Sequence, residues 1–392
     1  MKFERDRLTI FSYLMIGFFM LSRSVLAPFV SYRAAESPAE TPLLGFHITI
    51  SAIGIILVGI FWKNIRKHYL GKNLVYISGF LLAAGSAFLS SNRMAVTLLA
   101  AFILGAAGSV LNIIINSSLS DYHGVNKRIA IGEAAVISSI FGAIAPVILS
   151  LTNTYLSLGW RAGLIVPSVI LGSIIIFYRR LDLLGLLGEP TVSHESSEKE
   201  FKINTDYFLW LLLLVLCGAA EWGMIYWSSS LVKYSGRFDI NIAVLSVSLI
   251  IIFQIFGRIV WTHLSKFIDV GKLLVSCLGF TLIGIFSFYL FSIGSVSVPL
   301  VVASIFVFST GVSGTGQFIA VKLIDLSRGN SSIAMSYVSL ASGASVVIFP
   351  WLMGSQAADY GIKIAFTTPI ACALISFLLS LYLYFRKDNI QM

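Results

Sequence analysis

Two segments of the chain, 200 residues apart, are identical at seven of twelve positions. Residues 71–82 read GKNLVYISGFLL, and residues 271–282 read GKLLVSCLGFTL. A second register, with an offset of 204, pairs polar and helix-breaking residues: Asp121 with Asp325, Asn126 with Asn330, Ser138 with Ser342, and Pro146 with Pro350. Matched leucines between two apolar segments carry little weight, whereas matched Gly-Lys, Asp, Asn and Pro positions carry more. The pattern therefore indicates an internal duplication.

The composition excludes a water-soluble fold. Of the 392 residues, 57% are hydrophobic and 11% are charged, and the mean hydropathy is +0.90, whereas soluble domains contain about 25% charged residues. A disordered or fibrous chain would need few apolar residues or a strict short repeat. The three cysteines, Cys217, Cys277 and Cys372, lie in apolar runs without a CxxC pair or a histidine cluster. We therefore predict no disulfide, no metal site and no cofactor.

Long apolar runs predict an all-α polytopic membrane protein. A helix that crosses the hydrocarbon needs about 20 apolar residues, and the runs lack the alternation of barrel strands. The chain has twelve such runs, at approximately 8–30, 43–62, 73–91, 95–119, 129–151, 159–178, 206–231, 239–262, 272–293, 298–322, 330–353 and 361–385. One long polar segment separates the first six apolar runs from the last six. We predict a bundle in 1–180, a cytoplasmic linker in 181–205 and a second bundle in 206–392.

The duplication and the loop charges predict the topology. The repeat shifts the chain by six helices, an even number, so the two bundles should share one orientation, as in transporters that hold substrate near the midplane between parallel repeats. With both termini in the cytoplasm, 19 Lys and Arg residues fall inside and six outside, as the positive-inside rule requires. The net charge of +9 is dispersed over short loops, so we expect membrane lipids rather than nucleic acid as partners. We expect a monomer in a bacterial cytoplasmic membrane.

Short motifs show that the chain resembles the major facilitator superfamily over nearly its whole length. The loops 62–72 and 263–272 lie where that family has Gly-x-x-x-Asp-Arg-x-Gly-Arg-Lys; Gly59, the basic run 63–67 and Gly71-Lys72 match it, and the Asp is missing. Further motifs resemble the fucose-permease-like branch, namely Gly105-Ala-Ala-Gly108 with Asn112 and Asn116, Gly218 with Glu221 and Trp227, and Gly257-Arg258. The resemblance implies the major facilitator fold and secondary transport.

Two ionisable residues lie near the middle of predicted membrane helices. Glu221 is in the seventh run and Arg23 is in the first. A charge at the bilayer centre costs about 2.5–3.5 kcal/mol on insertion scales, so each should face a cavity or a partner. The carboxylate of Glu221 is expected either to bind a proton or to form a static ion pair. Arg23 is expected either to bind an anionic or polar group of the substrate or to form a salt bridge with Glu221 that locks one conformation.

Other polar and aromatic residues complete the candidate site. The amides of Asn112, Asn116, Gln254 and Gln317 suit hydrogen bonds to a solute or between helices. The rings of Trp222, Tyr226 and Trp227 suit stacking on a solute or packing. Candidate gate residues lie near predicted cytoplasmic helix ends, where breakable polar contacts or solvated charges are expected: Asp121, Arg128, Glu133, Arg258, Asp325 and Arg328.

These observations predict a carrier rather than an enzyme, because no catalytic or ATP-hydrolysing motif is present in the sequence. The favoured hypothesis is alternating-access transport of a small-molecule solute coupled to protons, as a sugar or organic-acid symporter. A proton-coupled exporter of drugs or metabolites is the alternative within transport. A lipid scramblase or membrane enzyme is the alternative outside it. We expect a site with substrate contacts at Arg23, the amides and the aromatic residues, and proton coupling at Glu221.

Overall fold

The structure is a computed structural model that describes residues 3, 5–36, 44, 46–69, 71–155, 159–178, 203–234, 240–294, 297–327 and 330–390. Within these ranges the regular structure is helical throughout, and no strand occurs. Each of the twelve apolar runs coincides with a helix or with two consecutive helices. Helices satisfy their own backbone groups, which is the requirement that lipid imposes. The all-α prediction is confirmed.

The described residues contain fourteen α-helices. In the first part of the chain they are α1 (Arg7–Ser24), α2 (Leu26–Glu36), α3 (Phe46–His68), α4 (Gly71–Phe88), α5 (Met94–His123), α6 (Lys127–Ser150) and α7 (Ala162–Tyr178). In the second part they are α8 (Thr205–Tyr234), α9 (Ile240–Leu264), α10 (Val270–Ile293), α11 (Val298–Leu326), α12 (Ser331–Tyr360), α13 (Ile362–Ala365) and α14 (Thr367–Ile390).

Nine helical segments of the described chain are long and apolar enough to cross a membrane. One of them, Met94–Asn153, contains both α5 and α6. Helix α7 is a shorter apolar helix of 17 residues. The protein is therefore an integral, multi-pass helical membrane protein, and the predicted number of twelve crossings stays a prediction.

The chain divides into two compact units. The first consists of Met1–Lys202 with Ser327–Gly343, and the second of Ile203–Leu326 with Ala344–Met392. The first thirteen residues of α12, 331–343, thus belong to the first unit and the rest of that helix to the second. Residues 181–202 of the predicted linker lie outside the described residues, and the predicted domain boundaries stay a prediction.

Several helix pairs with equivalent places in the two halves of the sequence pack in both units. In the first unit α5 contacts α1, α3 and α4, and α4 also contacts α7. In the second unit α11 contacts α8, α9 and α10, and α10 also contacts α14. Helices α5 and α11 therefore have equivalent neighbours, as the duplicated motifs predict.

Glycines allow helices to approach closely in both units. A Cβ atom on Gly54 of α3 would lie 2.7 Å from the carbonyl oxygen of Phe102 in α5. A Cβ atom on Gly257 of α9 would lie 2.8 Å from Cα of Thr310 in α11. Small residues at helix interfaces are typical of membrane proteins, where close packing rather than the hydrophobic effect holds helices together.

Tryptophan placement differs from an interfacial belt. Trp62, Trp160 and Trp261 are near helix ends, but each is at most 6% exposed. Their indole N–H groups donate to Ser332 Oγ at 2.7 Å, Glu36 Oε1 at 2.7 Å and the Thr310 carbonyl at 2.6 Å, respectively. A buried indole needs such a partner, so these residues pack within their units.

Candidate functional site

The first unit contains a polar cavity of about 160 Å³. Its walls come from α1, α3, α5, α6 and the first part of α12. The polar lining residues are Arg23, Ser109, Asn112, Ser138, Ser339 and Ser342. The larger apolar lining residues are Ile16, Phe19, Met20 and Ile55.

Helical spacing explains why α1 and α5 supply these side chains. Ile16, Met20 and Arg23 are separated by four and three residues, which places them on one face of α1. Ser109 and Asn112 are three residues apart on α5. Each helix therefore presents a row of side chains to the same cavity, with a guanidinium at one end of the α1 row.

Hydrogen bonds orient the polar wall. The hydroxyls of Ser109 and Ser339 lie 2.6 Å apart, within hydrogen-bond distance. Asn116, which is 8% exposed, donates from Nδ2 to Oδ1 of Asn112 at 2.8 Å. Because that bond engages the carbonyl side of the Asn112 amide, the amide nitrogen is the group left to donate to a ligand. Asn116 acts on the cavity through Asn112, and it does not line the cavity itself.

A second polar cluster surrounds Glu221 in the second unit. Gln254 of α9 is 6% exposed and donates from Nε2 to Oε1 of Glu221 at 3.0 Å. Arg258, one turn further along α9, attracts the same carboxylate electrostatically. Arg258, which we predicted as a gate residue, thus belongs to the surroundings of Glu221. Arg23 and Glu221 lie in different units, and their pairing stays a prediction.

Aromatic side chains flank this carboxylate along α8. The rings of Trp222 and Tyr226 stack with centroids 5.6 Å apart and an interplanar angle of 26°. Trp227 packs against the apolar core of the second unit. This placement favours a packing role for Trp227. The Trp222–Tyr226 pair, whose first residue follows Glu221 in the sequence, stays the candidate surface on which a solute could stack.

Gln317 lies in α11, and its side-chain amide is buried. It is 8% exposed, and within the described chain neither its Oε1 nor its Nε2 has a hydrogen-bond partner. Buried amides in proteins are normally satisfied by protein, water or ligand. Gln317 therefore stays a candidate for a solute contact.

The predicted gate residues fall into different settings. Glu133 of α6 accepts two hydrogen bonds from Arg5, at 2.6 and 2.8 Å, and one from the hydroxyl of Tyr13 at 3.3 Å. Asp121 near the end of α5 accepts from Ser331 at the start of α12 at 2.7 Å. Both carboxylates thus contact other segments of the first unit, and Asp121 holds the segment 331–343 there.

The remaining predicted gate residues are not joined into one cluster by the described contacts. Arg128 lies in the first turn of α6, and Asp325 lies in the last turn of α11. Arg328 lies outside the described residues. Their gating role stays a prediction.

A charged cluster lies beyond the membrane segment of α1 and α2. Arg161 donates to both carboxylate oxygens of Glu36, at 2.8 and 2.6 Å, and to Oδ1 of Asn92 at 2.7 Å. Arg33 lies 3.9 Å from the same carboxylate. The hydrogen bonds from Arg161 lower the pKa of Glu36 below its usual range. This cluster joins the end of α2 to the loops before α5 and before α7.

The sequence analysis missed the serine hydroxyls of the cavity. Single serines are common in membrane helices and give no signal alone. One signal was available, because Ser138 and Ser342 occupy equivalent positions in the register offset by 204, and both line the cavity. The spacing of Gln254 and Arg258 also predicts a shared face, which links Arg258 to Glu221.

Together, the helical fold, the helix packing shared by the two halves and the carboxylate of Glu221 in the middle of an apolar helix define a polytopic membrane carrier. The family model of the Major Facilitator Superfamily matches residues 12–326. The chain therefore belongs to the Major Facilitator Superfamily, a family of secondary transporters that are generally not enzymes. No curated protein matches the sequence.

Several solved structures have the same fold. The fucose:proton symporter FucP of E. coli, in an N162A variant, aligns with a TM-score of 0.68 and 16% identity over 96% of this chain and 99% of that chain. A bacterial homologue of the iron transporter ferroportin, in an outward-facing state, aligns with a TM-score of 0.72 and the same identity and coverage. At 16% identity these likenesses show the fold alone. The predicted family is confirmed.

Proposed function

We propose that this protein carries a small polar solute across a bacterial cytoplasmic membrane by alternating access, in symport with protons. In this proposal twelve helices form two parallel six-helix bundles, and both termini are cytoplasmic. The cavity beside Arg23 binds the solute, and Glu221 binds the proton. Transport by an ion gradient fits a chain of this family whose sequence contains no ATP-hydrolysing motif.

The observation that carries the proposal is the setting of Glu221. Its carboxylate receives a hydrogen bond from Gln254 and an attraction from Arg258, in the middle of an apolar helix of 30 residues. Protonation of Glu221 removes its attraction to Arg258. Gln254 still donates a hydrogen bond to Glu221, since a neutral carboxyl group accepts hydrogen bonds. The carboxyl group of Glu221 therefore has a polar partner in both protonation states, as a proton carrier needs.

Proton binding at Glu221 then biases the carrier between its conformations. A charged carboxylate and guanidinium are costly to bury apart, so the conformation that separates Glu221 from Arg258 is favoured only after protonation. Solute and proton are coupled when each binds the same conformation more tightly, because a ligand shifts an equilibrium only by its differential affinity.

Export of an aromatic or cationic compound is the second candidate function. It is favoured by the stacked Trp222–Tyr226 pair next to Glu221. Aromatic faces and a carboxylate together attract organic cations. Import and export are separated by the direction in which the same pH gradient drives flux.

The test uses purified protein in proteoliposomes with a pH-sensitive dye in the lumen. A panel of labelled sugars and organic acids is applied with and without an inward proton gradient. The wild type should accumulate one class of solute and acidify the lumen. Glu221→Gln should abolish gradient-driven accumulation, yet retain exchange of labelled for unlabelled solute, because its amide mimics the protonated carboxyl group.

Asp359→Asn is the matched control, since Asp359 is an exposed carboxylate near the end of α12. It should transport like the wild type. Solute flux that is the same with and without the gradient would remove proton coupling from the proposal. Outward accumulation of an aromatic cation would favour the exporter.

A further inference from the structure

The first unit has a groove of about 430 Å³ between α4 and α7, apart from the cavity beside Arg23. The groove is lined by Tyr76, Ile77, Phe80 and Leu81 of α4 and by Ile175 and Ile176 of α7. Most of these side chains are exposed, and in a membrane-spanning bundle exposed apolar side chains face lipid. Because lipid tails are about as apolar as leucine, the groove suits a hydrocarbon chain.

The one polar side-chain group among these six lining residues is the hydroxyl of Tyr76. It donates a hydrogen bond to the backbone carbonyl of Tyr178, the last residue of α7, at 2.8 Å. This bond satisfies the phenol O–H and a carbonyl at the helix end. The groove wall therefore presents apolar surface, and a polar group of a ligand is expected at the end of the groove instead.

That end of the groove lies at a membrane surface. Lys72 precedes Tyr76 by one turn on the same face of α4. At a rise of 1.5 Å per residue, Tyr76 lies about 6 Å and Leu81 about 14 Å along the helix from Lys72. One leaflet of a 30 Å hydrocarbon core is about 15 Å thick. The groove therefore fits within one leaflet, with the lysine at its polar end.

Basic residues are concentrated near this end of the groove. Lys63 and Lys67 are exposed in the last turns of α3, and Lys72 is partly exposed at the start of α4. Two further arginines, at 179–180, follow α7 in the sequence and lie outside the described residues. Over residues 41–120 the sequence contains no Asp or Glu. Basic clusters beside membrane helices attract anionic lipids, and basic sites between helices bind their headgroups.

The equivalent wall in the second unit is different. In the register offset by 200, Ser276 and Cys277 of α10 take the places of Tyr76 and Ile77. Cys277 is buried, whereas Ile77 is exposed. The apolar groove of α4 is therefore not a general product of the duplicated fold, and its side chains need a separate explanation.

The start of the helix differs in the same way. Asp269 accepts a hydrogen bond from the backbone N–H of Gly271 at 2.7 Å, so that α10 has a carboxylate at its first turn. Tyr69, which is exposed, stands at the equivalent position before α4. A phosphate group bound beside Lys72 would supply the negative charge that the second unit has in its own chain, since helix N-termini bind phosphates and carboxylates alike.

We propose that the groove between α4 and α7 binds an anionic phospholipid, phosphatidylglycerol, with its phosphate on Lys72 and one acyl chain along Ile77, Phe80 and Ile176. This site goes beyond the proposed function, because it lies outside the solute cavity and does not depend on which solute is carried. Phosphatidylethanolamine has the same chains and phosphate but adds an ammonium group, which the basic residues repel. A second copy of this chain fits less well, since a two-fold contact would pair the same basic surfaces.

The test titrates the full-length protein in detergent with lipids of equal chains and different headgroups. Dioleoyl phosphatidylglycerol is compared with dioleoyl phosphatidylethanolamine, and glycerol 3-phosphate represents the headgroup alone. Native mass spectrometry counts the bound lipids, and thermal unfolding measures the stabilisation. Phosphatidylglycerol should bind roughly fivefold or more tightly than phosphatidylethanolamine. Glycerol 3-phosphate should not stabilise the protein, because the acyl chain supplies the contact with the groove.

Two substitutions separate the headgroup contact from the chain contact. Lys72→Gln should reduce the affinity for phosphatidylglycerol roughly fivefold and leave that for phosphatidylethanolamine within about twofold. Ile176→Trp fills the groove and should weaken both lipids. In the Ile176→Trp protein, Lys72→Gln should have no further effect, because headgroup and chain belong to one lipid.

The second unit offers matched controls. Lys272→Gln removes the lysine that is equivalent to Lys72 and is exposed on α10. Ile283→Trp enlarges an exposed isoleucine of the same helix. Both proteins should bind the two lipids like the wild type.

Four outcomes overturn the inference. The two lipids bind equally, glycerol 3-phosphate stabilises the protein as much as the intact lipid does, or the Lys72→Gln protein keeps the full preference. In the fourth, the protein is a dimer that Ile176→Trp dissociates without any change in lipid binding, which would show that a second copy covers the groove. The first two outcomes use the wild-type protein and stay decisive even if a variant fails to fold.

Discussion

At the scale of single residues, the clearest electrostatic contact is the cluster around Glu36. Its carboxylate accepts both hydrogen bonds from Arg161, one from Trp160, and lies near Arg33. Arg161 also lies over the ring of Trp160, 4.4 Å from the ring centroid. Bidentate geometry and a stacked guanidinium distinguish this contact from ordinary surface ion pairs, which contribute little.

We expect this contact to make stability depend on pH. The folded-state pKa of Glu36 is below its unfolded value of about 4.3, so its contribution is fully present above that pH and is lost as the pH falls through the folded pKa. Glu36→Gln should lower stability at pH 7 by about 1 kcal/mol or less, and the difference from the wild type should shrink as the pH falls below about 4.3. Thermal unfolding in detergent between pH 3 and pH 7 measures this.

Asp359→Asn serves as the control here too, and should show no comparable pH-dependent difference from the wild type. A Glu36→Gln protein that matches the wild type at pH 7 would show that the cluster contributes no net stability.

The candidate site shows which functional residues the sequence alone identifies. Arg23 and Glu221 could be found from the sequence because a charge in an apolar run is costly and therefore informative. The electrostatic interaction between Arg258 and Glu221 was not predicted, because it depends on how α8 and α9 pack. The cavity serines could not be found singly, because a hydroxyl that bonds its own helix backbone and one that faces a cavity have the same sequence context.

At the scale of helices, the apolar runs predicted the positions of most helices. Prolines explain the two places where one run contains two helices. The run 8–30 was expected to be one helix, but α1 ends at Ser24 and α2 begins at Leu26. Pro28 lacks the N–H group that would bond to the carbonyl of Ser24. Pro369 has the same relation to Ala365, where α13 ends before α14 begins.

We expect bulky substitutions at Gly54 and Gly257, which lie at close helix contacts, to be destabilising to a similar extent in both units. Gly54→Leu and Gly257→Leu each place a side chain against the backbone of a neighbouring helix, less than 3.0 Å away. Overpacking of this kind costs about 1–3 kcal/mol. The measurement is the thermal unfolding midpoint and the yield of monodisperse protein.

Gly316→Leu is the control for this pair, since a Cβ atom there meets no atom within 4 Å and the residue is exposed on α11. It should unfold like the wild type. If Gly54→Leu is severe and Gly257→Leu is harmless, the two units are not packed equivalently.

At the scale of the whole molecule, the duplicated packing was predictable and the division of α12 was not. Matched motifs in the two halves anticipated that α5 and α11 have equivalent neighbours. The assignment of residues 327–343 to the first unit depends on contacts such as Trp62 with Ser332 and Asp121 with Ser331. Such contacts join positions more than 200 residues apart, and a hydrophobicity pattern carries no information about them.

The last prediction concerns the direction in which the two repeats cross the membrane. Lys67 and Lys266 are exposed at equivalent ends of α3 and α9, and Arg93 and Ser297 are exposed in the loops after α4 and α10. A parallel duplication places equivalent loops on the same side, whereas an inverted duplication places them on opposite sides. The loop charges put Lys67 and Lys266 in the cytoplasm and Arg93 and Ser297 outside.

Single cysteine substitutions at these four positions test this directly in intact cells with a membrane-impermeant maleimide. Arg93→Cys and Ser297→Cys should be labelled, and Lys67→Cys and Lys266→Cys should be labelled only after the cells are permeabilised. The three native cysteines are buried, so the wild type should give the background signal. Labelling of Lys67→Cys but not Lys266→Cys in intact cells, or the reverse, would show inverted repeats. That result would remove the parallel arrangement of the two bundles from the proposed function, and alternating access would then have to operate between inverted repeats.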